Sequence, residues 1–338
     1  MGSHRRLVQT SGFNRGAGAA LGVLSAAAAA LGAVPALAAP TDDTRAEVDR
    51  LYEQAEQATE AFNKADERAD ALREEVSTAQ DGIARQQERI NSMREALGSL
   101  AGAQYRSGGL DPSLALLLSN DPADYLDKAA RIARLSAHQA GELDDLQDAM
   151  RELAQERSEA TGKLVELEKS RKAVAAHKRT VERKLAQARR LLNSLTAADR
   201  AAYDRASRSG RAGMPDFGSL VAPSGRAAAA VAAAHSALGR PYVWGANGPS
   251  GFDCSGLIQW SYAQAGVALP RTSQGQRYAG RQVPLSEAQP GDVVTYRSDA
   301  SHVGMYAGNG QVIHAPYPGA PVRYDPVGMM PGATVTRV

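Results

Sequence analysis

The chain has 338 residues, with 39 Lys and Arg against 37 Asp and Glu and a formal net charge of +2. So even a balance leaves no electrostatic footprint for nucleic acid or an anionic surface, and no nucleic-acid partner is expected. The length suffices for two or three domains with buried cores.

At the N-terminus, Arg5, Arg6 and Arg15 precede an Ala/Gly/Leu/Val run from about Gly16 to Val34, and Ala36-Leu37-Ala38 places small residues at the cleavage-determining positions. Residues 1–38 therefore read as a signal peptide, with the mature chain starting at Ala39-Pro40. A retained membrane anchor is the rival reading, against which stand the weak apolarity of the run and the cleavage motif at its end. Ordinary secretion ranks ahead of a twin-arginine route, because His4 and Leu7-Val8-Gln9 fit the Arg5-Arg6 pair poorly. Past this segment no apolar run is long enough to span a bilayer, so an extracellular protein without stable membrane insertion is expected.

Residues 42–206 read as a helical hairpin. From Asp43 to about Arg106 apolar residues recur at alternating steps of three and four (Val48, Leu51, Ala55, Ala58, Phe62, Ala65, Ala69, Leu72, Val76, Ala79, Ile83, Ile90, Met93, Leu97, Leu100). A heptad sustained this long predicts a coiled-coil helix of about 95 Å at 1.5 Å per residue. Asp121-Pro122 restarts a helix with a cap and a proline at its first position, and a second stripe runs from Leu143 to Leu195, with Arg157, Arg171 and Lys178 at seam positions. The two helices should fold back antiparallel around a tip near 107–121, where the apolar run Leu114–Leu118 is the place to seek a partner. With many charges and no histidine or cysteine cluster, the hairpin carries no evident chemistry and reads as a spacer, a docking arm or a regulatory arm. Residues 207–224, with Pro215, Pro223 and several glycines, read as a flexible linker.

Residues 225–338 read as a globular α+β domain, because an Ala-rich helix from Arg226 to Leu238 and a second helix beginning near Cys254 are followed by consecutive strands. Strand signals fall at Tyr242–Trp244, Val293–Tyr296, His302–Tyr306 and Gln311–His314, with weaker ones near Val322–Tyr324 and Thr334–Val338. Cys254, the only cysteine, follows the loop Gly245–Gly251 and sits in the first turn of its helix, with Asp253 or a neighbour as cap. A helix N-terminus stabilises a thiolate, and an unpaired cysteine in an exported chain points to reactivity rather than stapling. The plain alternative is a small buried hydrophobe. His302 and His314 flank the turn Ala307–Gly310. A two-residue loop, Asn309-Gly310, would put them on opposite faces, whereas a three-residue loop, Gly308–Gly310, sets His314 across from Gly304 and diagonal to His302. The second arrangement suits a base, His302, oriented by His314.

The segments Leu238–Gly245, Phe252–Leu257, Leu269–Ser273, Gly291–Val294 and Ser301–Tyr306 resemble, in matching order, the NlpC/P60 peptidases, with Ala246 where a second glycine is common. The resemblance covers about the last 115 residues. It implies a papain-like fold and hydrolysis of bacterial peptidoglycan stem peptides, typically between γ-D-glutamate and a diamino acid, by a secreted or cell-wall-associated enzyme without a cofactor. It also implies Cys254 as nucleophile, His302 as base and His314 as third polar residue. Tyr242 with the Cys254 amide would hold the oxyanion, and Asp253, Ser255, Arg271 and Ser273 would lie at the substrate. For Arg271 and Ser273, contact with substrate carboxylates and a helix-capping role are both open. The helical region in front is similar to secreted, division-associated members whose coiled coil controls the enzyme, and a division or cell-envelope protein docking on the coiled coil is the expected partner. Two rival readings stand beside this one: Cys254, His302 and His314 as three zinc ligands of a metallohydrolase, or a noncatalytic coiled-coil activator with a wall-binding domain.

Overall fold

The computed structural model describes residues 41–106, 122–201, 222 and 224–338. The expected signal peptide, the Leu114–Leu118 run and all of the expected linker but Ala222 and Ser224 lie outside the described residues.

Helix α1 (Thr41–Arg106) and helix α2 (Pro122–Ser194) form the hairpin. Their pairing is antiparallel: Val48, Leu51 and Ala55 pack with Val181, Leu185 and Ala188, Ala69 and Leu72 with Leu167, and Ile90 with Ala149 and Leu153. Each fully buried Leu or Ile in that seam contributes about 1.5–3 kcal/mol. The expectation for Arg157, Arg171 and Lys178 is corrected, because all three are exposed. Helix α2 is turned so that Ala149, Leu153, Ala160 and Leu167 fill the seam, while Leu143, Met150 and Leu164 lie half-exposed at its margin. The rotation spares the cations burial, and Arg157 donates to Gln87 Oε1 at 2.8 Å instead.

In the C-terminal domain, helix α3 (Gly225–Ser236) is capped by Ser224, whose Oγ accepts from Ala227 N, and helix α4 (Cys254–Gln264) by Asp253. A short helix α5 (Ser273–Gln276) follows, capped by Thr272. Six strands then form one antiparallel sheet: β1 (Arg281–Val283), β2 (Val293–Tyr296), β3 (His302–Gly308), β4 (Gln311–His314), β5 (Arg323–Pro326) and β6 (Thr334–Arg337), in the order β1-β6-β2-β3-β4-β5. Val293, Val303, Met305 and Ile313 pack against α3 and α4, while Val294, Tyr296, Val312 and Val335 form a second core on the other face. The α+β architecture behind a helical hairpin is the one expected, with two local corrections. Tyr242–Trp244 is not a strand: only Tyr242 makes an isolated bridge, to Phe252, and Gly245 at φ 74° turns the chain away before a ladder can form. Strand β1 has one apolar residue in three, so no alternation announces it.

The β3–β4 connection combines the two alternatives. Asn309 and Gly310 form a two-residue turn with φ of 53° and 69°, and a bulge between Tyr306 and Gly308 shifts the register so that Met305 faces Ile313. Gly304 thus lies against His314, where an added Cβ would meet His314 Cβ at 3.2 Å. The bulge supplies the extra residue that the three-residue loop would have supplied.

Thr41–Val338 forms one compact unit, so the hairpin and the domain pack together. The contact is made by a second face of α1, distinct from its seam: Tyr52 stacks on Tyr317 at 4.7 Å between ring centroids, and Phe62 meets Trp244 edge-on at 5.2 Å.

Candidate active site

The site grows from the start of α4. Asp253, in extended backbone, accepts from Gly256 N through Oδ1 at 2.7 Å and so caps the helix that presents Cys254. Gly256 has no alternative, because a Cβ there would collide with Ala246 O. Asp253 is fully buried, and its charge is met by Arg271, which donates to both carboxylate oxygens at 3.0 and 2.6 Å. Gly245 N and Asn63 Nδ2 donate to Oδ2 as well. Arg271 is therefore committed to holding the cap, and its Nη1 also donates to Ser255 Oγ at 3.0 Å. The neutralising partner of Asp253 is this guanidinium.

The histidines stand behind the thiol in a hydrogen-bonded series. His302 Nε2 lies 2.8 Å from His314 Nδ1, and His314 Nε2 lies 2.8 Å from Asp325 Oδ2, which also accepts from Arg323 Nε at 2.8 Å. Both rings are buried and meet edge-on. Burial pushes His314 down to about 4, against the pull of Asp325, so its ring stays neutral near pH 7. Burial would raise Asp325, but His314 and Arg323 outweigh it and keep its carboxyl below the usual range. Asp325 is a site residue that sequence reasoning missed. Both nitrogens of His314 are occupied and the two imidazoles face each other rather than a common point, so the three-ligand zinc geometry is not formed. No group of three or more His, Cys, Asp or Glu among the described residues could hold a metal ion.

The hairpin enters this site, contrary to the expectation that it carries no chemistry. Glu60 Oε1 accepts from Ser255 Oγ at 2.6 Å and lies 3.7 Å from Cys254 Sγ, while Oε2 accepts from Ser273 N at 2.8 Å. One turn earlier, Glu56 accepts from Arg297 at 2.6 Å and places Oε1 3.5 Å from His302 Nδ1. A single turn of α1 thus spans the thiol and the imidazole, which brings Cys254 and His302 to one cleft and covers both. The electrostatics follow from that cover. Burial, then the carboxylates of Glu60, Asp253 and Glu56, raise the Cys254 thiol well above its ordinary range and hold it protonated. Burial and Asp253 push Glu60 up to about 7. Burial would raise Glu56 too, but His302 and Arg297 prevail and lower it. Tyr242 is buried among these groups, and burial together with Cys254 keeps its phenol protonated. Ser273 serves Glu60 through its amide, and Thr272 does the capping. The signal missed in the sequence is the spacing Tyr52, Glu56, Thr59-Glu60, Asn63, a buried second stripe on α1.

Among the described residues no helix is long and apolar enough to cross a membrane. Residues 239–331 match the NlpC/P60 family. A probable endopeptidase of Mycobacterium tuberculosis is 48% identical over 118 residues, which cover 34% of this chain and 30% of that protein. A probable endopeptidase of Corynebacterium glutamicum is 47% identical over 109 residues, 32% of this chain and 52% of that protein. The chain therefore spans from 30% to 52% of these relatives' length. Among solved structures, the NlpC/p60 domain of the peptidoglycan hydrolase SagA is 39% identical over 33% of this chain and 98% of that domain, with a TM-score of 0.31. Residues 239–331 therefore form an NlpC/P60 domain, which the chain carries behind a helical hairpin.

Proposed function

We propose that the protein is a secreted, wall-associated cysteine endopeptidase that hydrolyses peptidoglycan stem peptides between γ-D-glutamate and the diamino acid, restrained by its own hairpin. The observation that carries the reaction is Cys254 at the capped start of α4, opening on the same cleft as the His302–His314 pair. In this reading His302 takes the thiol proton, the thiolate attacks the carbonyl carbon, and the oxyanion is met by the Cys254 amide and the Tyr242 hydroxyl. His302 then returns the proton to the leaving amine, and water releases the acyl group.

Glu60 supports both the bond and the restraint. Ser255 Oγ and Ser273 N hold a carboxylate within 4 Å of the thiol, which is where the free carboxylate of a glutamyl unit would lie beside its scissile carbonyl. Substrate and hairpin would then compete for the same donors, and a division or envelope protein drawing the hairpin away would start cleavage. The test incubates stem peptide with the full chain, with a chain carrying Glu56→Ala, Glu60→Ala and Asn63→Ala, and with that chain also carrying Cys254→Ala, and reads the products by mass spectrometry. New termini after γ-D-glutamate from the triple variant, absent without the thiol, are expected. No cleavage by the folded, reduced triple variant would sink the reaction, and equal rates from wild type and triple variant would sink the restraint.

A further inference from the structure

The hydrogen-bonded series behind Cys254 does not end at His314. Asp325 is ionised, and an ionised carboxylate only accepts. His314 Nε2, 2.8 Å from Asp325 Oδ2, must therefore carry the ring proton, which leaves His314 Nδ1 as a lone pair. That lone pair lies 2.8 Å from His302 Nε2, so Nε2 must be the N–H. What remains of His302 is Nδ1, buried, outside any hydrogen bond and 3.5 Å from Glu56 Oε1, a carboxylate that pairs with it only once it has taken up a proton. It is the one ring nitrogen left to exchange a proton with Cys254.

We propose that Asp325 is a positioning residue that determines, through His314, which nitrogen of His302 acts as the base. The inference rests on the thiol mechanism above for its chemistry, but not for its geometry. The carboxylate itself stays unprotonated throughout: the thiol proton moves from Sγ to His302 Nδ1 and from there to the leaving amine, while both Nε2 protons stay in place.

The neighbour that makes Asp325 necessary is Arg323, which faces His314 across the β4–β5 ladder and donates Nε to Asp325 Oδ2. A guanidinium has donors and no acceptor. Without the carboxylate between them, Arg323 would favour a lone pair on His314 Nε2. The proton would move to His314 Nδ1, the series would run in reverse, and His302 would hold its proton on Nδ1 with its lone pair turned away from the thiol. A wrong tautomer of this kind leaves the groups in place and removes the base.

The test uses the full chain labelled with 15N in the imidazole rings, with the signals of His302 and His314 assigned by replacing each in turn. Both Nε2 atoms of the wild type should give protonated, pyrrole-type shifts, and His302 Nδ1 should be the nitrogen whose shift moves when the ring titrates. In Asp325→Ala the neutral rings should carry their protons on Nδ1. Combined with Glu60→Ala to open the cleft, the same change should lower kcat by roughly a hundredfold to ten-thousandfold and leave KM within about twofold. A neutral His302 protonated on Nδ1 in the wild type would overturn the proposal, and that spectrum decides even if Asp325→Ala does not fold. Unchanged tautomers in a folded Asp325→Ala chain would overturn it too. Because the shifts are read without substrate, a chain that cleaves no wall peptide would count against the reaction and not against this assignment.

Discussion

Acidity should control how firmly α1 covers the cleft, and Glu60 is the group through which it acts. Its carboxyl is buried against Ser255, Ser273, Cys254 and the Asp253–Arg271 pair, and titrates near 7 there, against 4.5 for a glutamate in water. Covering therefore favours the protonated acid. The contribution is whole below about 4.5, is lost as the pH rises toward about 7, and above that is gone. A displacement of that size amounts to about 3 kcal/mol, or roughly two orders of magnitude in the ratio of covered to uncovered chain. Glu56 works in the opposite sense, but its carboxyl is held below the ordinary range and stays ionised through the window. The assay is the rate of Cys254 alkylation in the full chain from pH 5 to 8.5, wild type divided by Glu60→Gln. Alkylation proceeds from the uncovered chain, where residue 60 has left the thiol, so the quotient cancels what the two proteins share there and leaves residue 60. It should climb by more than tenfold between pH 5 and 7 and then level off. A quotient that stays flat would refute the assignment of the latch to the Glu60 carboxyl.

Three further outcomes follow from the same geometry. Tyr242→Phe, in a chain opened by Glu60→Ala, should lower kcat roughly tenfold to a thousandfold with little change in KM, as loss of an oxyanion donor does; a matching rise in KM with kcat intact would assign Tyr242 to binding instead. Arg271→Ala strands the buried Asp253 carboxylate and should cost the C-terminal domain about 3–5 kcal/mol, seen as an earlier thermal transition; a loss under about 1 kcal/mol would mean that Gly245, Gly256 and Asn63 suffice to hold the charge. Gly304→Ala brings a methyl within 3.2 Å of His314 Cβ and Ile313 O, so it should displace His314 and reduce kcat at a stability cost of about 1–3 kcal/mol; unchanged kinetics would show the ring can shift without loss.

The elements that were legible in the sequence are those whose signal is local or periodic. The hairpin helices announce themselves through a stripe that each must bury, and Cys254 through the loop and cap beside it. The register of His302 and His314 is readable because one face of a strand repeats every second residue, although the bulge that produces it is not. Glu56, Glu60 and Asn63 were hidden for the opposite reason: on a coiled coil, charged residues off the seam are the ordinary solvated surface, and nothing within α1 tells that another domain covers them. Asp325 was hidden likewise. In Arg323-Tyr324-Asp325-Pro326 it reads as an edge residue, and its partner His314 is supplied only by the pairing of β4 with β5.

Helix α1 does not stop at the cleft. Past Asn63 it continues unbroken to Arg106, about 65 Å at 1.5 Å per residue, whereas the turns from Glu56 to Asn63 that fill the cleft span only about 10 Å. Such a rod is a lever with unequal arms. A sideways force at its far end acts on the cleft contacts with a mechanical advantage of about six, so a weak pull near Arg106 can do what would take a strong one at Glu60. Whatever acts there need never touch the catalytic domain, and the enzyme could be addressed from about 65 Å away.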